Sequence, residues 1–90
     1  MKVTIEHKKN HEHIVGKEWK EVYEGDNEEK FATRDIQEAV EEYEANLNAN
    51  GFELGDDQDK VNEVYAVTEL QEGEYSFDCG DFTYYITIEK

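Results

Sequence analysis

The sequence predicts an α+β domain: one helix packed on an antiparallel sheet, in the order two strands, one helix, three strands (ββαβββ). Three observations predict it. Apolar residues alternate with polar ones at both ends of the chain, the period of a half-buried strand. A stripe at spacings of four, three and four residues runs through the middle, the period of an amphipathic helix. Glycine, aspartate and asparagine punctuate the stretches between. At 90 residues the chain is expected to form a single acidic domain, residues 1–90.

The elements follow in order. Val3 and Ile5 alternate with Lys2, Thr4 and Glu6, which reads as a first strand. Lys8, Lys9, Asn10 and His11 form a turn. Residues 12–24 carry Ile14, Val15, Trp19, Val22 and Tyr23, strand-forming types that favour a second strand paired with the first. The same residues also fit a helical stripe, so a second helix over 12–24 is the alternative, with Gly16 against it at about 1 kcal/mol. Gly25, Asp26 and Asn27 mark a break.

The helix is expected over about residues 33–50. Thr33 caps its start through the side-chain hydroxyl, and Ile36, Val40, Tyr43 and Leu47 line one face. Gly51 stands where a left-handed C-terminal cap is wanted. Residues 55–59 form a loop. Residues 61–70, rich in Val and Tyr, read as a strand. Tyr75, Phe77 and Cys79 alternate, Gly80 and Asp81 turn the chain, and Phe82, Tyr84, Ile86 and Ile88 alternate again, so the chain is expected to end in a meander.

Composition then bounds function. Twenty-four acidic residues face nine basic ones, a formal charge of -15. Direct binding to nucleic acid through phosphate contacts is excluded, because phosphates would be repelled. The longest apolar run, Val64, Tyr65, Ala66 and Val67, is far short of the roughly 20 residues that span a bilayer. No leader of lysine followed by apolar residues is visible, so a cytoplasmic protein is expected. A single cysteine, Cys79, excludes an internal disulfide framework.

The charge is unevenly placed. Residues 1–34 carry a net of -1, and residues 35–90 a net of -14, with Lys60 and Lys90 their only basic residues. Along the helix, Asp35, Glu38, Glu41, Glu42 and Glu44 stand three or four apart. Like charges at such spacings cost about 0.2–0.5 kcal/mol per pair. The plain explanation is a solvated face serving solubility. The sharper one is a face complementary to a basic partner, in which Asp35, Glu38, Glu41, Glu42 and Glu44, with Asp56, Asp57 and Asp59, stand in for phosphates. Tyr85, on the strand face opposite Tyr84, is the candidate for an exposed anchoring contact.

Catalytic and metal chemistry find little support. His7, His11 and His13 cluster in sequence, but a zinc site needs three or four ligands in tetrahedral reach, and a turn separates His7 from the others. Residues 57–61 resemble the start of an EF-hand loop but lack the glycine it requires at the sixth position, where Asn62 stands. Ser76 and Cys79 have no histidine nearby in sequence, and acidic neighbours would raise the thiol pKa of Cys79 rather than activate it. No metal, no cofactor and no enzymatic activity are expected.

In size and charge the chain is similar to phage-encoded inhibitors that act as DNA mimics against restriction or CRISPR nucleases. That similarity covers bulk properties only and transfers no residue. It implies an anti-restriction or anti-CRISPR inhibitor whose partner is a basic nucleic-acid-binding protein, acting as a monomer or homodimer in the host cytoplasm. The alternatives are an acidic immunity protein or antitoxin that neutralises a basic toxin, and a soluble accessory domain without inhibitory role.

Overall fold

The computed structural model describes residues 1–26 and 29–90, the side chain of Glu29 excepted. Asn27, part of the expected break, lies outside them. The described residues form β1 (Lys2–Lys9), β2 (Trp19–Glu24), α1 (Glu29–Ala49), a 3-10 turn (Leu54–Asp56), α2 (Gln58–Thr68), β3 (Gly73–Asp78) and β4 (Phe82–Glu89). The four strands make one sheet in the order β2-β1-β4-β3. Every neighbouring pair is antiparallel. The α+β class, the antiparallel sheet and the long central helix therefore stand as the sequence predicts.

The register explains which side of the sheet is covered. Val3 and Ile5 stand opposite Ile88 and Ile86, and Phe77 opposite Tyr84, so these six side chains share one face. All are buried, together with Ala32, Ile36, Ala39 and Tyr43 of α1 and Val64 and Val67 of α2. Both helices thus lie on the same face. The other face shows Thr4, Val22, Tyr85 and Thr87 among lysines and glutamates, the one-sided burial common in antiparallel sheets.

Residues 61–70 differ from expectation: most of them form α2 instead of a third strand. Val61, Val64 and Val67 recur every three residues, so a helix brings all three to one side, whereas a strand would split them between faces. Asp57 begins this helix, its carboxylate accepting from the backbone N–H groups of Asp59 at 3.0 Å and Lys60 at 3.3 Å. The helix ends in a Schellman arrangement, with Gln71 N–H donating to Ala66 and Leu70 N–H to Val67. Leu70 takes the left-handed conformation at φ 55°, a position glycine would fill without strain.

α1 begins at Glu29, one turn before the expected cap, so Thr33 lies inside the helix. Ala32, fully buried and four residues before Ile36, carries the buried stripe into that extra turn. At the other end Gly51, at φ 82°, donates to Asn48, and Phe52 donates to Leu47, closing the helix as the sequence predicts. The alternative of a helix over 12–24 is not what forms. Trp19–Glu24 is the second strand, and the residues before it make an irregular connection. Gly16 is needed there: a Cβ would meet the ring of Phe82 at 2.5 Å.

Candidate functional site

Helix geometry sorts the acidic residues of α1 into two groups. Ile36, Ala39 and Tyr43 define the buried side. At 100° per residue, Glu38 and Glu41 point away from it, and both are exposed. Glu44, three residues on, is half-buried. Asp35 and Glu42 lie on the opposite flank, against the sheet. There the Tyr23 hydroxyl donates to Asp35, and the Tyr84 hydroxyl donates to Glu42 at 2.5 Å. Asn46, the next residue of that flank, donates to the Cys79 carbonyl at 3.1 Å. This flank is thus a seam of side chains joining α1 to β2, to β4 and to the β3–β4 turn.

These contacts set the phenol acidities. Burial, then the hydrogen bond to Asp35, pushes Tyr23 up to about 12. Burial, followed by Glu42, pushes Tyr84 up as well. Tyr43 is raised mainly by burial, with Lys60 acting against the shift. The Cys79 thiol is pushed up to about 12, chiefly by burial and then by Glu42 and Asp78. It is a packed group without thiolate character at neutral pH.

A groove of about 360 Å³ lies between α1 and the 3-10 turn. Tyr43, Leu47, Phe52 and Leu54 give it an apolar floor, and Glu53, Asp56 and Asp57 stand at its rim with Lys60. Phe52 is 60% exposed. Asp56 accepts from the Glu53 backbone N–H at 3.2 Å, and Asp57 caps α2, so both carboxylates are held in place by local structure. The Lys60 ammonium is engaged by Glu63 at 2.9 Å and the Ser76 carbonyl at 3.3 Å.

Glu38 and Glu41 are exposed on the outer side of α1, Glu44 is half-buried, and Asp56, Asp57 and Asp59 are exposed around the start of α2. Asp35 and Glu42 hold the sheet. Tyr85, 44% exposed, lies on the uncovered sheet face, away from all of them. Sequence reasoning missed the groove and its floor: Phe52 and Leu54 sit outside any periodic pattern. It also missed an aromatic cluster at the end of β1. His7 stacks on Phe82 at 4.3 Å and on Trp19 at 5.4 Å, and Tyr84 tilts against it at 4.8 Å. His7 Nδ1 lies 3.2 Å from the Lys17 carbonyl. His11 and His13 stack on each other at 5.4 Å, apart from that cluster. Among the described residues no group of three or more His, Cys, Asp or Glu side chains is placed to hold a metal ion. Nor is any helix among them long and apolar enough to cross a membrane.

Fold and site define a small α+β domain with an acidic helical layer over a mixed-charge sheet. No protein-family model matches the chain, and no curated protein or solved structure matches it significantly.

Proposed function

We propose that the chain is a non-enzymatic acidic inhibitor. Its helical layer occupies the nucleic-acid groove of a basic protein, as in phage anti-restriction or anti-CRISPR proteins acting in the host cytoplasm. One observation carries the reading. Across residues 29–68, the span of α1, the 3-10 turn and α2, eleven acidic residues outnumber three basic ones, Lys30, Arg34 and Lys60. That layer lies on one face of the sheet. Glu38, Glu41 and Glu44 advance about 4.5 Å along the helix axis per carboxylate, against about 3.4 Å per phosphate on one DNA strand. Such a surface speeds encounter with a cationic groove and disfavours other partners.

The groove favours a second reading. Its apolar floor suits one protruding side chain, as when an immunity protein or antitoxin blocks the active site of a basic toxin.

The experiment is affinity capture with the immobilised protein, followed by elution with duplex DNA and, separately, with salt. A captured basic protein should be released by DNA. It should also be lost between about 50 and 200 mM salt, where exposed charges are increasingly screened. A partner held equally at high salt and indifferent to DNA overturns the decoy reading. Release by salt but not by DNA selects the toxin-blocking one.

A further inference from the structure

We propose that the groove between α1 and the 3-10 turn receives the side chain of one arginine from a basic partner. The proposal rests on the reading of the chain as a binder of a basic protein, and it holds for both forms of that reading.

Size comes first. A volume of about 360 Å³ lies at the low end of the roughly 300–1,000 Å³ of small-molecule sites. The groove therefore admits one large side chain and not a helix or a strand.

Its lining then selects the chemistry. Leu47 and Leu54 offer aliphatic surface, and Phe52 offers an aromatic ring that is 60% exposed. Glu53, Asp56 and Asp57 add three carboxylates to this surface. Among the described residues none of the three takes part in an ion pair. Lys60 is the one cation of the lining, and its ammonium is already engaged by Glu63 and by the Ser76 carbonyl. An apolar surface is thus joined to negative charge that nothing in the groove compensates.

Two of the carboxylates are also held ready. Asp56 Oδ2 accepts from the Glu53 N–H at 3.2 Å, and Asp57 Oδ1 accepts from the Asp59 and Lys60 N–H groups at 3.0 and 3.3 Å. Among the described contacts the second oxygen of each, Asp56 Oδ1 and Asp57 Oδ2, accepts no hydrogen bond. Both are open to an incoming donor, and little ordering entropy is lost when one arrives.

Arginine answers all of these features at once. Its methylene stem covers apolar surface while its charged head stays in reach of the carboxylates. Its guanidinium stacks on an aromatic face and donates through a planar fork that fits carboxylates. A lysine ammonium is a compact, strongly hydrated point charge without that fork. An aliphatic side chain would take the carboxylates out of water and offer no compensation. Arginine is also a residue that grips phosphate in pairs of parallel bonds, so a side chain that holds DNA in the target would be captured here instead.

The test is titration of the isotope-labelled protein with N-acetyl-arginine amide, read by NMR at about 20 mM salt, where exposed charges are little screened. Backbone signals of Phe52, Leu54, Asp56 and Asp57 should shift along one saturating curve. The corresponding citrulline amide, close in shape but uncharged, should leave them unmoved, and the lysine amide should bind several-fold more weakly. Phe52→Ala should weaken arginine binding about 3–5-fold through loss of the ring. Asp56→Asn keeps an acceptor for the Glu53 N–H and should weaken binding by about the same factor through loss of charge. Glu38→Gln with Glu41→Gln, outside the groove, should change it by less than about twofold. Shifts that fail to saturate, that move Glu38 and Glu41 as strongly, or that citrulline or lysine reproduces overturn the proposal, as do groove variants that bind like the wild type. No target protein enters this titration. A negative result therefore overturns the groove proposal alone, whereas failed capture of a basic protein with a positive titration overturns the inhibitor reading alone.

Discussion

Neutralising Glu38 and Glu41 together should stabilise the protein, and the size of the effect follows from their positions on α1. Four like-charge pairs run along this helix: Asp35–Glu38, Glu38–Glu41, Glu38–Glu42 and Glu41–Glu44. Every one includes Glu38 or Glu41. Both residues are exposed, and no hydrogen bond ties either of them to the sheet among the described contacts. At about 0.2–0.5 kcal/mol per pair, Glu38→Gln with Glu41→Gln relieves about 1–2 kcal/mol. Glutamine has nearly the same helix propensity as glutamate, so little else changes. For a domain of this size that corresponds to a rise in Tm of roughly 5–15 °C. Glu42→Gln should act the other way. It weakens the bond from the Tyr84 hydroxyl from a charge-assisted one to a neutral one, a loss of about 1 kcal/mol that relief of one repulsive pair only partly offsets. The assay is thermal melting by circular dichroism at about 20 mM and about 500 mM salt. The gain of the double variant should shrink at high salt as exposed charges are screened. A double variant no more stable than wild type at low salt would refute the idea that this face is under self-repulsion.

Asp57 offers a separation of roles: Asp57→Ala should cost about 1 kcal/mol by removing the cap of α2, whereas Asp57→Asn should keep most of the stability, so weakened target capture by the Asn variant alone would report its charge. Alkaline unfolding should expose the tyrosine seam. The folded-state pKa of Tyr23 is about 12 against an ordinary 10, and Tyr84 is raised too, so their stabilisation is full below pH 10 and lost as pH climbs through the folded values. Denaturant midpoints measured from pH 9 to 12 should fall, and Tyr23→Phe with Tyr84→Phe should flatten the slope; an unchanged slope would remove these phenols from the account.

Much of this fold is legible in the sequence because it is local. Strand alternation at both ends, the Ile36–Tyr43 stripe and the Gly51 cap each depend on neighbours within a few residues, and each is found in place. Residues 61–70 depart from the expected strand because spacing outweighs residue type. Val and Tyr favour strands only as a preference for a half-buried pleated surface, and the three-residue recurrence of Val61, Val64 and Val67 was the stronger signal. The true start of α1 was hidden because its inward residue there is Ala32, too small to mark an apolar stripe. The candidate site was legible as a set of charges, not as a surface. That Asp35 and Glu42 reach sheet tyrosines depends on contacts across 12 and 42 residues. Tyr85 is exposed, as the strand alternation predicts, but its separation from the helical carboxylates depends on which side of the sheet the helices cover.

The covered side of the sheet carries most of the negative charge, and the uncovered side mixes lysine with glutamate. The molecule is therefore an electric dipole as well as an anion, aligned roughly with the sheet normal. A cationic bead, a polyamine coat or a lysine-studded cleft would turn it before touching it. First collisions would then be helices-forward far more often than chance allows, with the uncovered face of the sheet trailing behind.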